Sequence, residues 1–254
     1  MSFFCNSPLE QFQILPLVPF HLGLIDFSLT NSAVAGAVSL ALFIFLIQSL
    51  VDDSGSLKFI PSRFQLVIEL MYKAIVKMVV ENVGPKGEEF FPFVFSLFCF
   101  VLVLNVSGLV PYCFTMTSHF AVVFTLAIII FFGVNYVCVR EHKLKFFSIF
   151  FPQGTALVLG LLLVPIEIVS YVFKPLSLSI RLFANMVAGH TLIKVIAGFA
   201  FSLAGCTGLL FLGYYAALLL LVPLYGLELG VSVIQAYVFT LLTCIYINDS
   251  VNLH

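Results

Sequence analysis

Charge is what this sequence has least of. Lysine, arginine, aspartate and glutamate make up 9% of the 254 residues, against 62% hydrophobic residues that include thirty phenylalanines. Eleven basic and twelve acidic residues leave a formal net charge of −1, which excludes the basic footprint of a nucleic-acid binder. Six cysteines, at 5, 99, 113, 138, 206 and 244, form no CxxC pair and no metal-ligand spacing. They read as small core hydrophobes, not as a disulfide framework. No glycine-rich phosphate loop and no HExxH occur, so a nucleotide site, a metalloprotease centre, a bound metal and a cofactor are all unexpected. No lysine or arginine precedes Lys58, so the basic start of a cleavable signal or transit peptide is not expected either.

What remains is apolar surface far beyond the needs of a soluble domain, which makes this a polytopic membrane protein. The apolar runs are continuous and not alternating, so the fold class is all-α and not a barrel. Residues 1–30 carry three prolines and two acids and read as an extended or loosely helical surface segment. Residues 31–51 form an uncharged transmembrane helix that ends at a polar turn beginning Asp52-Asp53. Over 62–83, Ser62 and Gln65 have capping-box spacing, and Glu69, Lys73, Lys77 and Glu81 follow at four-residue steps. One charged stripe on an apolar helix describes an amphipathic element lying along an interface, stopped by Gly84-Pro85-Lys86-Gly87. Residues 90–139 read as a helical hairpin, its first arm interrupted by Asn105 and Gly108, with an uncharged turn near 111–118. All eight basic residues before position 146 fall in the 52–89 connection or the 140–145 loop. That side is therefore the cytoplasm or matrix, and the N-terminus lies opposite.

From position 155 onward a hydropathy count becomes ambiguous. As single helices, 155–200 would run about 69 Å and 208–248 about 60 Å, against a hydrocarbon core of about 30 Å. No polar turn divides Leu176 from Arg181, and Pro165 and Pro175 can kink a membrane helix without ending it. Four ordinary spans and two very long, steeply tilted helices are both compatible with the residues. The first of these segments nevertheless holds Glu167, Lys174, Arg181, Asn185, His190 and Lys194. A charge in hydrocarbon costs about 2.5 to 17 kcal/mol, depending on how far water and snorkelling relieve it. The two lysines are expected to snorkel to headgroups. Glu167, Lys174, Arg181 and Asn185 lie within about 80° of one another on an ideal helix, while His190 points about 180° from Arg181. On the last segment Glu228, Ser232, Gln235 and Tyr246 share a face within about 60°. Arginine keeps its proton, whereas Glu and His exchange theirs, so a fixed cation beside titratable groups suits a proton device. A structural Arg–Glu pair would give the same residues.

At this point the sequence SLSIRLFANMVAGHTLI around Arg181 resembles the signature of subunit a of the rotary F-type ATP synthase. The closing GLELGVSVIQAYVFTLLTCIYINDSVNLH is similar to that subunit's last helix, and SPLEQFQILPL and VPYCFTMTSH resemble its mitochondrial forms. The resemblance implies one transmembrane helix, an amphipathic surface helix, a hairpin and two long embedded helices that cup a ring of c subunits, all within one membrane domain over 1–254. It implies Arg181 as the fixed charge facing the ring carboxylates, with Asn185 beside it and Gln235 packed opposite. Glu228 and His190 are implied as the inlet pair, Glu167 as the exit acid and Tyr246 as a polar residue near it. Ser232 joins the path by its place on the Glu228 face. The expected partners are the c-ring, the peripheral stalk, other membrane-sector subunits and lipid. The expected place is the mitochondrial inner membrane, or a bacterial plasma membrane, with no enzyme activity in this chain alone. The alternatives are a secondary transporter or antiporter with a midplane Arg–Glu site, though no inverted repeat is evident, and a purely structural respiratory subunit.

Overall fold

The computed structural model describes residues 8–22, 25–26, 28–52, 63–110, 113–143, 157–204 and 209–251. Ser62 of the expected capping box, residues 53–56 of the polar turn, Lys58, Lys145, Cys5, Cys206 and residues 155–156 lie outside that set. Six helices carry the fold: α1 (Asn31–Asp52), α2 (Arg63–Val83), α3 (Phe91–Leu109), α4 (Phe120–His142), α5 (Leu157–Ala204) and α6 (Leu209–Val251). Among the described residues, four apolar stretches are long enough to cross a membrane: Gly87–Leu109, Phe120–Arg140, Leu163–Ala204 and Phe211–Val251. The apolar run of α1, Asn31–Leu46, is shorter than these. This is an all-α membrane protein.

The ambiguity after position 155 resolves to two helices. α5 is 48 residues long and continues through Pro165 and Pro175, and α6 is 43 residues long and continues through Pro223. Their lengths, about 72 and 65 Å, exceed the hydrocarbon thickness at least twofold, so neither fits within it upright. Each proline removes one backbone donor, a loss that neighbouring helices and polar side chains offset in a membrane bundle.

Ahead of α1 the chain is not helical throughout. A 3₁₀ turn at Pro8–Phe12 is followed by short antiparallel pairs, β1 (Pro16–Val18) with β4 (Leu29–Thr30) and β2 (His21–Leu22) with β3 (Ile25–Asp26). Asn31 fastens this segment to the helix it begins. Its side chain accepts from the Leu15 amide at 3.1 Å and donates to the Gln13 carbonyl at 3.0 Å, and its own amide donates to the Leu15 carbonyl.

The chain packs as two compact units, one comprising Met1–Ile47, Phe100–His119 and Phe183–Ala236 and the other Gln48–Cys99, Phe120–Leu182 and Tyr237–His254. In the first, Ser39 of α1 faces Ser107 of α3, and Phe43 meets Phe100 edge-on at 5.6 Å. In the second, α2 buries Ile75, Met78, Val79 and Val83, and α4 buries Val123, Ala127, Ile130, Val134 and Cys138. These are helical spacings, one stripe on each element. Lys73, Lys77 and Glu81 lie on the exposed side of α2, with Lys77 and Glu81 paired at 3.7 Å. Gln65 donates to Glu69 at 3.1 Å. Of the described cysteines, Cys99, Cys138 and Cys244 are buried and Cys113 is exposed, all four as free thiols.

Gly84 ends α2 in the left-handed region, φ 78°, with its amide still donating to the Val80 carbonyl. Only glycine takes that conformation without a Cβ penalty, and Pro85 cannot continue the helix. Gly87 then passes so close to α2 that a Cβ would lie 2.8 Å from Val83 Cβ and 2.9 Å from Val79 Cγ1. Gly87→Ala is expected to cost about 1–3 kcal/mol through overpacking, read as a lower thermal midpoint of the detergent-solubilised protein. An unchanged midpoint would show that this corner yields freely.

Candidate functional site

Two polar pairs bridge α5 and α6 inside the first unit. Asn185 donates from Nδ2 to Gln235 Oε1 at 2.9 Å. Further along, His190 Nε2 stands 3.8 Å from Glu228 Oε1. Glu228 is 6% exposed, and both of its oxygens are buried without a hydrogen-bond partner among the described residues. Gln235 Nε2 is likewise buried and unpartnered. Buried polar atoms left in this way mark places where ordered water belongs.

The acid fits where it does because of a glycine. A Cβ at Gly189 would fall 2.6 Å from Glu228 Oε1 and 2.9 Å from its Cδ. The residue before the histidine must therefore lack a side chain, so that the carboxylate can lie against α5. Gly189→Ala is expected to push the carboxylate away and lengthen the 3.8 Å separation from His190, measurable in a density map of the variant. An unmoved carboxylate would mean that α5 retreats instead.

Beside this pair lies a cavity of about 820 Å³, lined among others by Phe12, Thr115, His190, Lys194, Tyr225 and Glu228. The ring of Phe12, from the N-terminal 3₁₀ turn, meets the His190 ring edge-on at 6.3 Å. Tyr225 donates to the Leu109 carbonyl at 2.9 Å, tying α6 to the end of α3.

Ser232 takes part through its backbone. Its carbonyl accepts from Asn105 Nδ2 at 3.2 Å, while its hydroxyl donates to the Leu229 carbonyl one turn back. Both residues are completely buried.

The second unit contains the remaining predicted residues. Arg181 is exposed and makes no ion pair or hydrogen bond with a described residue. Ser177, Ala184 and Ala188 are also exposed, at helical spacings from it. Glu167 is half-buried and has no hydrogen-bond partner among the described residues. Lys174, expected to snorkel, has partners within the protein. Its Nζ lies 3.0 Å from Asp249 Oδ2 and over the rings of Tyr171 and Tyr246, at 5.2 and 5.1 Å. An ammonium held between a carboxylate and two aromatic faces is compensated where it stands. Tyr246 thus contacts Lys174, and Tyr171 in turn donates to Asn135.

The structure brings His190 to Glu228 and Asn185 to Gln235. Asp249, Thr115 and Tyr171 went unselected from the sequence. An acid three residues beyond Tyr246, at the end of α6's polar face (Glu228, Gln235, Tyr246), offered some signal. A threonine in a turn offered none.

A sequence model of the family described as ATP synthase A chain matches residues 32–248. The chain belongs to that family. It is 53% identical to the ATP synthase subunit a of Pylaiella littoralis over 98% of this chain and 99% of that one. It is 47% identical to the subunit a of Chondrus crispus, covering 99% and 98% of the two chains. With the subunit a of Pelagibacter ubique the identity is 45%, over 98% and 99%. The protein is accordingly a membrane-sector subunit of ATP synthase and not a free-standing transporter.

Proposed function

We propose that this subunit is the proton-translocating stator of the membrane sector, forming two half-channels against the c-ring and coupling proton flow to its rotation. The observation that carries the reading is the Arg181 guanidinium, exposed and without an ion pair or hydrogen bond to any described residue, on a helix too apolar to face water. A cation in hydrocarbon is costly, and a carboxylate of the ring would supply its counter-charge. The small residues Ser177, Ala184 and Ala188 beside it leave room for a helix to approach closely.

In this account a proton passes from the cavity by way of His190 and Glu228 to a ring carboxylate, which once neutral can face lipid. Asn185, Gln235 and Ser232 add polar groups to that inlet path. After nearly a full turn the carboxylate gives up its proton toward Glu167 and is held ionised by Arg181. At 4 Å and an effective dielectric of 20 that attraction is about 4 kcal/mol. Tyr246, through Lys174 and Asp249, supports the exit side. Each proton crossing 100 mV releases about 2.3 kcal/mol, delivered here as torque. The subunit itself binds no nucleotide, and the peripheral stalk and other membrane-sector subunits hold it in place. Its seat is the mitochondrial inner membrane, with the bacterial plasma membrane as the alternative, and its N-terminus faces the intermembrane side.

Replacing Arg181 by alanine is expected to abolish both ATP-driven proton pumping and proton-driven ATP synthesis in reconstituted vesicles while the complex still assembles. Coupled synthesis at the wild-type rate would overturn the reading and favour a structural role. Glu228→Gln is expected to slow proton uptake at least tenfold, measured as the initial rate of ATP synthesis after an acid jump. An unchanged rate would remove Glu228 from the path.

A further inference from the structure

His190 has a second neighbour on the nitrogen that faces the acid. Thr115 Oγ1 lies 3.2 Å from His190 Nε2, closer than Glu228 Oε1 at 3.8 Å. The same hydroxyl donates to the Gly108 carbonyl at 3.3 Å. That carbonyl belongs to the last turn of α3, where helix termination leaves acceptors without an intrahelical donor. A hydroxyl has one proton to give. With that proton on Gly108, Thr115 presents lone pairs to the imidazole and can only accept from it.

The placement leaves little freedom. Thr115 is 4% exposed and sits in extended backbone as the cap of the Met116–Ser118 turn. A Cβ at Gly108 would stand 2.6 Å from its methyl and 3.2 Å from its hydroxyl oxygen, so the side chain is packed directly onto bare backbone. The edge of Phe12 limits how far the His190 ring can tilt away.

A neutral imidazole carries hydrogen on one nitrogen and accepts at the other. We propose that Thr115 is a positioning residue that fixes neutral His190 in the Nε2–H form, leaving Nδ1 bare to accept a proton from cavity water. This rests on the reading of His190 as a proton carrier. The sequence of events is then directional. Water protonates Nδ1, and the Nε2–H bond breaks as that proton passes to Glu228, which leaves the neutral ring with its hydrogen on Nδ1. The ring returns to the Nε2–H form, which the hydroxyl favours, when Nδ1 gives its proton back to cavity water and a water proton binds Nε2. Thr115 accepts a hydrogen bond from Nε2–H but neither gains nor loses a proton itself. It sets which nitrogen offers one.

The test uses the assembled complex carrying ¹⁵N-labelled histidine, with the His190 signals assigned by their loss in His190→Gln. The wild type is expected to show a protonated Nε2 and a bare Nδ1. Thr115→Val, nearly isosteric but without the hydroxyl, is expected to mix the two forms and to slow proton-driven ATP synthesis about tenfold, the loss of one hydrogen bond. Thr115→Ser, which restores the hydroxyl, is expected to recover both the spectrum and the rate. A wild-type His190 protonated on Nδ1, or a Thr115→Val complex that synthesises ATP at full rate beside an inactive His190→Gln, would overturn the positioning role alone. Full synthesis in His190→Gln would overturn the carrier reading beneath it. Should Thr115→Val fail to assemble, the wild-type spectrum decides.

Discussion

A polar group in a membrane must find a partner within the protein, keep water, or wait for another molecule, because lipid supplies none of its hydrogen bonds. The polar residues of this chain sort into those three conditions. Lys174 is satisfied by Asp249, and the Asn185 amide donates to Gln235 Oε1. Glu228 and His190 line a cavity, and the carboxylate oxygens have no hydrogen-bond partner among the described residues. Arg181 stands exposed, without an ion pair or hydrogen bond to a described residue. The condition of each residue, more than its type, separates structural ties from working parts, since lysine and arginine on one helix end in opposite circumstances.

Much of this was legible in the residues. Continuous apolar runs gave the helices, and the Gly-Pro pair gave the end of α2. Pro165 and Pro175 left the helix count open, because a proline costs one backbone bond and the sequence cannot tell whether tertiary packing offsets it. The partners of Lys174 were not legible for a related reason. Snorkelling is the default for a lone lysine near an interface, and the compensating Asp249, Tyr171 and Tyr246 arrive from elsewhere in the chain. Thr115 was invisible, since a threonine in a turn is ordinary until the fold sets it against an imidazole.

The close approaches depend on absent side chains as much as on those present. Gly189 makes space for a carboxylate and Gly108 for a threonine, each at a distance no Cβ would tolerate. Both glycines lie within helices, where they forfeit about 0.5–1 kcal/mol relative to alanine. What the backbone gives up there returns as precise placement of the groups around His190.

The attachment of the Pro8–Phe12 turn bears on biogenesis. Phe12 packs on His190, roughly 180 residues downstream. At about 5–20 residues per second of synthesis, about 9 to 36 seconds separate the emergence of the two. Throughout that interval the N-terminal turn, tethered through Asn31 to the start of α1, has no surface to settle upon. This part of the cavity wall can therefore settle only once His190 of α5 has been made.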